Sequence, residues 1–139
     1  MTDDIKAIAS REVEMFSSGD YSIADELYSE DYVGYDPAKP EPIRGIDGAK
    51  AEAEGYRSAF PDLQITIDQQ VAEGDYVVTR WTAHGTHDGD LDGIAPTGRS
   101  ATTSGISITR IVDGKIVEDY TQWDALGLMT QLGVVPAMA

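Results

Sequence analysis

Residues 63–84 read LQITIDQQVAEGDYVVTRWTAH, and the period of this stretch decides the fold. Leu63, Ile65 and Ile67 alternate with Gln64, Thr66 and Asp68, the pattern of a strand with one buried face. Glu73-Gly74-Asp75 is a turn. Tyr76 to His84 is a second strand, rich in Val, Thr and aromatic residues. Further on, Thr102 to Ile111 and Lys115 to Asp124 form a hairpin around Val112-Asp113-Gly114. A short helix, Leu126 to Leu132, closes the chain before Gly133. Upstream the period is helical: Ile5, Ile8, Ala9, Val13 and Phe16 share a face, and Gly19 stops that helix. A short second helix covers Ser22 to Tyr28, and Tyr32, Val33 and Tyr35 suggest a brief strand. Pro37, Pro40 and Pro42 stiffen the loop from Asp36 to Gly45. A third helix begins near Asp47, carries Ala49, Ala53, Tyr56 and Phe60 on one side, and ends at Pro61. Helices first and antiparallel strands after indicate an α+β fold. The expectation is one domain, residues 1–139, with N-terminal helices packed into a curved antiparallel sheet that forms a cone with an internal pocket.

The register of the last hairpin decides which side chains face that pocket. A two-residue loop at Asp113-Gly114 sets Ile111 opposite Ile116. A three-residue loop with Gly114 in the left-handed position sets Arg110 opposite Ile116. The second choice groups Ile106, Ile108 and Arg110 with Ile116, Glu118, Tyr120, Gln122 and Asp124. Ser107, Thr109, Val117, Asp119, Thr121 and Trp123 then share the other face. The first group concentrates apolar residues with a few polar heads, as pockets do, and is the expected concave face.

Composition narrows the functional classes. The chain of 139 residues holds 25 acidic and 10 basic side chains, a formal net charge of −15, which repels phosphate backbones and anionic lipids. Neither nucleic acid nor membrane is an expected partner. There is no cysteine, so disulfides, thiolate nucleophiles and cysteine metal sites are excluded. No basic stretch followed by an apolar one opens the chain and no run is long enough to span a bilayer, which makes the cytoplasm the simplest compartment. Walker, GxGxxG, HExxH and GxSxG motifs are absent. The two histidines, His84 and His87, are spaced by three along a strand and fall on opposite faces, which disfavours a shared metal. No cofactor and no metal are expected.

What remains is a carboxylate among aromatic neighbours. Asp124 follows Tyr120 and Gln122 where the last strand meets the last helix. It reads either as the cap of that helix or as a general acid/base whose pKa is raised by apolar walls.

The C-terminal two-thirds resembles the SnoaL-like polyketide (ester) cyclases. The matching pieces are Phe60-Pro61-Asp62-Leu63, Gly74-Asp75, Gly85-Thr86-His87, Pro96-Thr97-Gly98, Gly114-Lys115-Ile116-Val117-Glu118, Asp124 and Gln131-Leu132-Gly133, in that order. The resemblance implies the cone fold shared with ketosteroid isomerase, scytalone dehydratase and nuclear transport factor two. It also implies a cofactor-free intramolecular aldol condensation. The family's Glu-x-aromatic-x-x-x-Asp pattern reads here as Glu118, Tyr120 and Asp124, which assigns Asp124 as the acid/base. The family often has tryptophan in place of Tyr120, and histidine or asparagine near Tyr35.

Such chemistry needs a donor for the enolate oxygen. Arg80 and His84 share strand parity with Tyr76, Val78 and Thr82 and complete the expected catalytic set. The expected substrate-binding residues are Tyr35, Tyr56, Ile106, Ile108, Glu118, Tyr120 and Gln122, around a small hydrophobic carbonyl compound. Gly93 to Gly98 reads as a plain loop steadied by His87. The alternative is a non-catalytic ligand-binding or dimerisation module, marked by Asp124 paired with Arg80 or a helix end. An epoxide hydrolase would need a carboxylate two residues after Arg80, where Thr82 stands. Trp123 and Val117, on the face turned from the pocket, are expected to be covered in a symmetric homodimer.

Overall fold

The computed structural model describes residues 2–135. Two helices, α1 (Thr2–Ser18) and α2 (Ile23–Leu27), lead into β1 (Tyr28–Tyr35) and a short β2 (Ile43–Arg44). Helix α3 (Gly45–Ala59) follows, then β3 (Gln64–Glu73), β4 (Tyr76–Thr86), β5 (Ser100–Val112), β6 (Lys115–Trp123) and α4 (Ala125–Leu132). The fold is α+β, as its element order predicts. The sheet is curved and unclosed, in the order β2-β1-β6-β5-β4-β3. One correction applies: the sheet is mixed, because β1 runs parallel to β6. Adjacent strands made by hairpins must be antiparallel, but β1 reaches its partner through most of the chain, and nothing in local periodicity sets that direction.

Helix α1 begins with Asp3 and Asp4 in its first turn, where carboxylates suit the helix dipole. The apolar stripe of α1 packs on the sheet. Ala9 and Met15 are buried in one core cluster with Leu27, Tyr28, Ala53, Val77, Ile111 and Ile116. A second cluster gathers Phe60, Leu63, Ala83, Leu91, Ala101, Leu128 and Leu132. Arg57 of α3 ties the helices to the sheet, because its guanidinium donates to the carbonyls of Phe16, Ser17, Pro61 and Leu63. The third helix starts at Gly45 rather than near Asp47, since Gly45 takes a left-handed φ of 70° and turns the chain straight in from β2.

The last hairpin uses the two-residue loop, not the preferred three-residue one. Asp113 and Gly114 have φ of 51° and 76°, and Val112 pairs with Lys115 and Ile111 with Ile116. A bulge then shifts the ladder so that Arg110 pairs with Glu118, Ile108 with Tyr120 and Ile106 with Gln122. The bulge returns Ile116 to the helix-covered side, where it is fully buried. The remaining grouping survives, but its orientation is reversed. Thr79, Trp81, Ser107, Thr109, Asp119, Thr121 and Trp123 face the helices, and the isoleucines face away.

Candidate functional site

Between the helices and the curved sheet lies a cavity of about 150 Å³. Aromatic and aliphatic side chains form most of its wall, including Phe16, Tyr56, Phe60, Trp81, Trp123 and Leu128. Small and hydroxyl residues on β5, from Thr103 to Thr109, line the sheet side and leave room that larger ones would fill. Four carboxyls reach this wall: Glu12, Asp36, Glu52 and Asp119.

Asp119 stands on β6 with its side chain toward the helices and is 5% exposed. Its Oδ1 accepts the Thr109 hydroxyl at 2.6 Å, from the directly paired position on β5. Its Oδ2 accepts the Tyr32 hydroxyl at 2.9 Å. Gly34 permits that contact, because a Cβ there would collide with the Tyr32 phenol. Glu12, on α1, lines the cavity with Asp119 and the two carboxyls interact; Glu12 also accepts the Tyr28 hydroxyl at 2.6 Å. Two carboxyls so placed share a proton, since both cannot ionise side by side out of bulk water. Burial, and then the Asp119 charge, push Glu12 well above the usual carboxylate range. Burial also raises Asp119, against the pull of its hydrogen bonds to Glu12, Thr109 and Tyr32.

Asp36 also lines the cavity and accepts the Tyr56 hydroxyl at 2.6 Å and the Trp123 indole N–H at 2.9 Å. Glu52, one turn before Tyr56 on α3, lines the same cavity and feels the Asp36 charge. Burial, then Asp36, lift Glu52 well above its ordinary value. Among the described residues, no three His, Cys, Asp or Glu side chains are arranged to hold a metal ion.

The family description "SnoaL-like polyketide cyclase" matches residues 6–132. The chain belongs to this family of cyclase enzymes. It is 30% identical over 129 residues to the aklanonic acid methyl ester cyclase DnrD of Streptomyces peucetius, covering 91% of this chain and 88% of the relative. It is 35% identical over 127 residues to the nogalonic acid methyl ester cyclase of Streptomyces nogalater, covering 87% and 91%. The solved structure of TsrD from Streptomyces laurentii superposes with a TM-score of 0.85 at 31% identity, over 96% of this chain and 97% of that one. No helix among the described residues is long and apolar enough to cross a membrane.

Against this cyclase frame, the residues expected from sequence fall in different places. Tyr56 lines the cavity through its ring and hydroxyl. Tyr35 borders it, but its ring is 42% exposed and stacks on Tyr120 at 4.8 Å on the outer side. Ile106, Ile108 and Tyr120 are 45%, 41% and 46% exposed on the outer face, with Glu118 and Gln122 beside them by register. Their expected placement on a concave face is corrected: the group keeps its register but turns away from the helices, because the hydroxyl-bearing face of β5 and β6 lines the cavity. Asp124 is an exposed helix cap, its Oδ1 accepting the Gly127 N–H at 2.8 Å. Arg80 is exposed, with Asp68 at 3.7 Å and Gln69 accepting from its Nε at 3.3 Å. His84 contributes to the rim of the cavity, and its Nδ1 lies 3.0 Å from the Thr102 hydroxyl. His87 is fully buried and does hold the 93–98 loop, with Nδ1 accepting the Thr97 N–H at 3.2 Å.

The residues that sequence reading passed over are Glu12, Glu52, Asp119, Asp36 and Trp123. A signal for the first two was present. Glu12 falls four residues after Ile8 and four before Phe16, inside the apolar stripe of α1. Glu52 falls three after Ala49 and four before Tyr56. A glutamate within an apolar helical stripe is unusual and calls for a partner.

Proposed function

We propose that this chain closes a ring in a hydrophobic, esterified polyketide-type substrate by an intramolecular aldol reaction, without metal or redox cofactor, and that Asp119 is its general base. The observation that carries this reading is the carboxylate of Asp119, buried on the cavity wall and oriented by the Thr109 and Tyr32 hydroxyls. Desolvation makes such a carboxylate a stronger base than one in water. The aromatic walls suit a flat ligand, and the carboxyls around them disfavour a free acid, which fits the methyl esters named for the relatives. Asp119 removes a proton from carbon between carbonyls, and the enolate carbon then attacks a second carbonyl held nearby. Asp124 is occupied as a cap and faces solvent, so the proton carrier is the aspartate five residues earlier.

The experiment is cyclisation of aklanonic acid methyl ester by the native chain, Asp119→Asn and Asp124→Asn. A positioned base contributes about a hundredfold or more. Asp119→Asn is expected to lose that in kcat with KM little changed, and Asp124→Asn to keep wild-type turnover. Full activity in Asp119→Asn overturns the assignment. Ligand binding without turnover in the native chain would favour the non-catalytic reading.

A further inference from the structure

An aldol closure moves two protons at two different atoms: one leaves carbon, and one must arrive at the new alkoxide. The base at Asp119 accounts for the first. The second carboxyl pair is built like the first but stands on another part of the wall. Three donors converge on Asp36: the Tyr56 hydroxyl at 2.6 Å, the Trp123 indole N–H at 2.9 Å and the Ala38 backbone N–H at 2.9 Å. A carboxyl so supplied has acceptor duty on both oxygens and nothing left to donate. Glu52 lines the cavity near this group, and burial followed by the Asp36 charge pushes its pKa well above the ordinary value, so it is placed to hold a proton.

We propose that Glu52 is the general acid of the ring-closing step and that Asp36 is its positioning residue. The inference rests on the reading of Asp119 as base and divides the labour between the two pairs. Asp119 takes the proton as the substrate C–H bond breaks, leaving an enolate. The enolate carbon forms the new C–C bond to the acceptor carbonyl carbon, whose π electrons move onto oxygen. That oxygen takes the Glu52 proton as the Glu52 O–H bond breaks, and the Asp36 charge beside the resulting carboxylate favours its reprotonation. Asp119 has gained one proton and Glu52 has lost one, and exchange with solvent through the mouth restores both. The groups facing Glu52 are Asp36 and Asp119, which raise its proton affinity, and Lys39, which lowers it. Lys39 is turned over the Tyr56 ring at 5.0 Å and paired with Asp92 at 2.9 Å. Burial outweighs it, so Glu52 keeps its proton where a surface glutamate has ionised.

The test compares Glu52→Gln, Glu52→Asp and Asp119→Asn in the full chain. Infrared spectra at neutral pH should show a protonated-carboxyl band that weakens in Glu52→Gln. With aklanonic acid methyl ester in heavy water, two rates are read: deuterium exchange at the acidic carbon, above the uncatalysed rate, and ring closure. Glu52→Gln should lose about a hundredfold in closure and retain exchange. Glu52→Asp keeps an acid but withdraws it by one methylene, so it should lose closure more mildly. Asp119→Asn should lose both. Three results overturn the proposal: wild-type closure in Glu52→Gln, an unchanged carboxyl band, or equal loss of exchange and closure in a variant whose melting temperature and substrate affinity are intact. Should Asp119→Asn keep its exchange, the base assignment fails, while a closure-only loss at Glu52 still stands as evidence for the acid.

Discussion

Replacing Glu12 with glutamine should make the protein less sensitive to rising pH, and the geometry sets by how much. Glu12 is half-buried, accepts the Tyr28 hydroxyl at 2.6 Å and shares a proton with Asp119. Tyr32 and Glu52 also face this group from β1 and α3, and none of these neighbours carries a positive charge. Its folded-state pKa is raised well above the ordinary 4.5. A raised acid pKa means that the folded state binds the proton more tightly than the unfolded chain. Stability from this group is therefore fully present below 4.5 and is lost as pH rises toward the folded value. Within that interval the loss is about 1.4 kcal/mol for each pH unit. Glutamine keeps an acceptor for Tyr28 and offers Asp119 an N–H in place of the shared proton, so the variant lacks this slope. Urea denaturation of both proteins between pH 4.5 and neutrality measures it. The general repulsion of a chain of charge −15 also weakens folding as pH rises, but it is common to both proteins and cancels in the difference. Parallel stability curves, or a glutamine variant that is strongly less stable at neutral pH, would refute the shared-proton geometry.

Besides the turnover tests of Asp119 and Glu52, two expectations concern groups outside the cavity. Asp124→Ala should lower stability by about 1 kcal/mol through the lost cap, with Asp124→Asn near native, both read from melting temperature. Trp123, expected on the face that a dimer covers, lines the cavity instead; the exposed apolar outer face, with Tyr76, Ile106, Ile108 and the Tyr35–Tyr120 stack, is the one that should be covered in a symmetric homodimer. Sedimentation at micromolar concentration checks this, and Ile108→Glu should shift the boundary toward monomer with the cavity residues untouched. A native chain that sediments as a monomer counts against the dimer.

Element order and period made the α+β fold legible, because helices and strands alternate apolar residues at their own spacing. Which way the sheet faced was not legible, and the reason is specific. Local hydrophobicity placed Ile106 and Ile108 inside, yet the sheet side of the cavity is lined by Thr103, Ser107, Thr109 and Thr121, whose small size leaves it room, so the better-looking face turned outward. A single bulge beside Val117 then hid Ile116 within the opposite face. The pieces that carried the family resemblance prove to be fasteners. Asp62 accepts the Thr86 N–H and hydroxyl at 2.7 and 2.8 Å, His87 holds Thr97, and Gln131 bonds both the N–H and the C=O of Thr102. The proposed chemistry sits between the fasteners, on residues such as Glu12 and Asp119 that only the fold brings together.

The parallel pairing of β1 with β6 also governs the order in which the molecule can be assembled. The strands from β3 to β6 join through hairpins between sequence neighbours. The Tyr32–Asp119 and Trp123–Asp36 hydrogen bonds each span 87 residues. Loop-closure entropy must be met before such distant contacts return any free energy. The nascent chain therefore carries α1 and β1, with Glu12 still in water, until β6 emerges and docks beside β1. The β6 contacts to both carboxyl pairs form in that one late event, so a chain stalled before β6 has a partial sheet and lacks the proposed base Asp119. Pulse-labelled hydrogen exchange during refolding, with β4–β5 amides protected before those of β1, is the signature of that order.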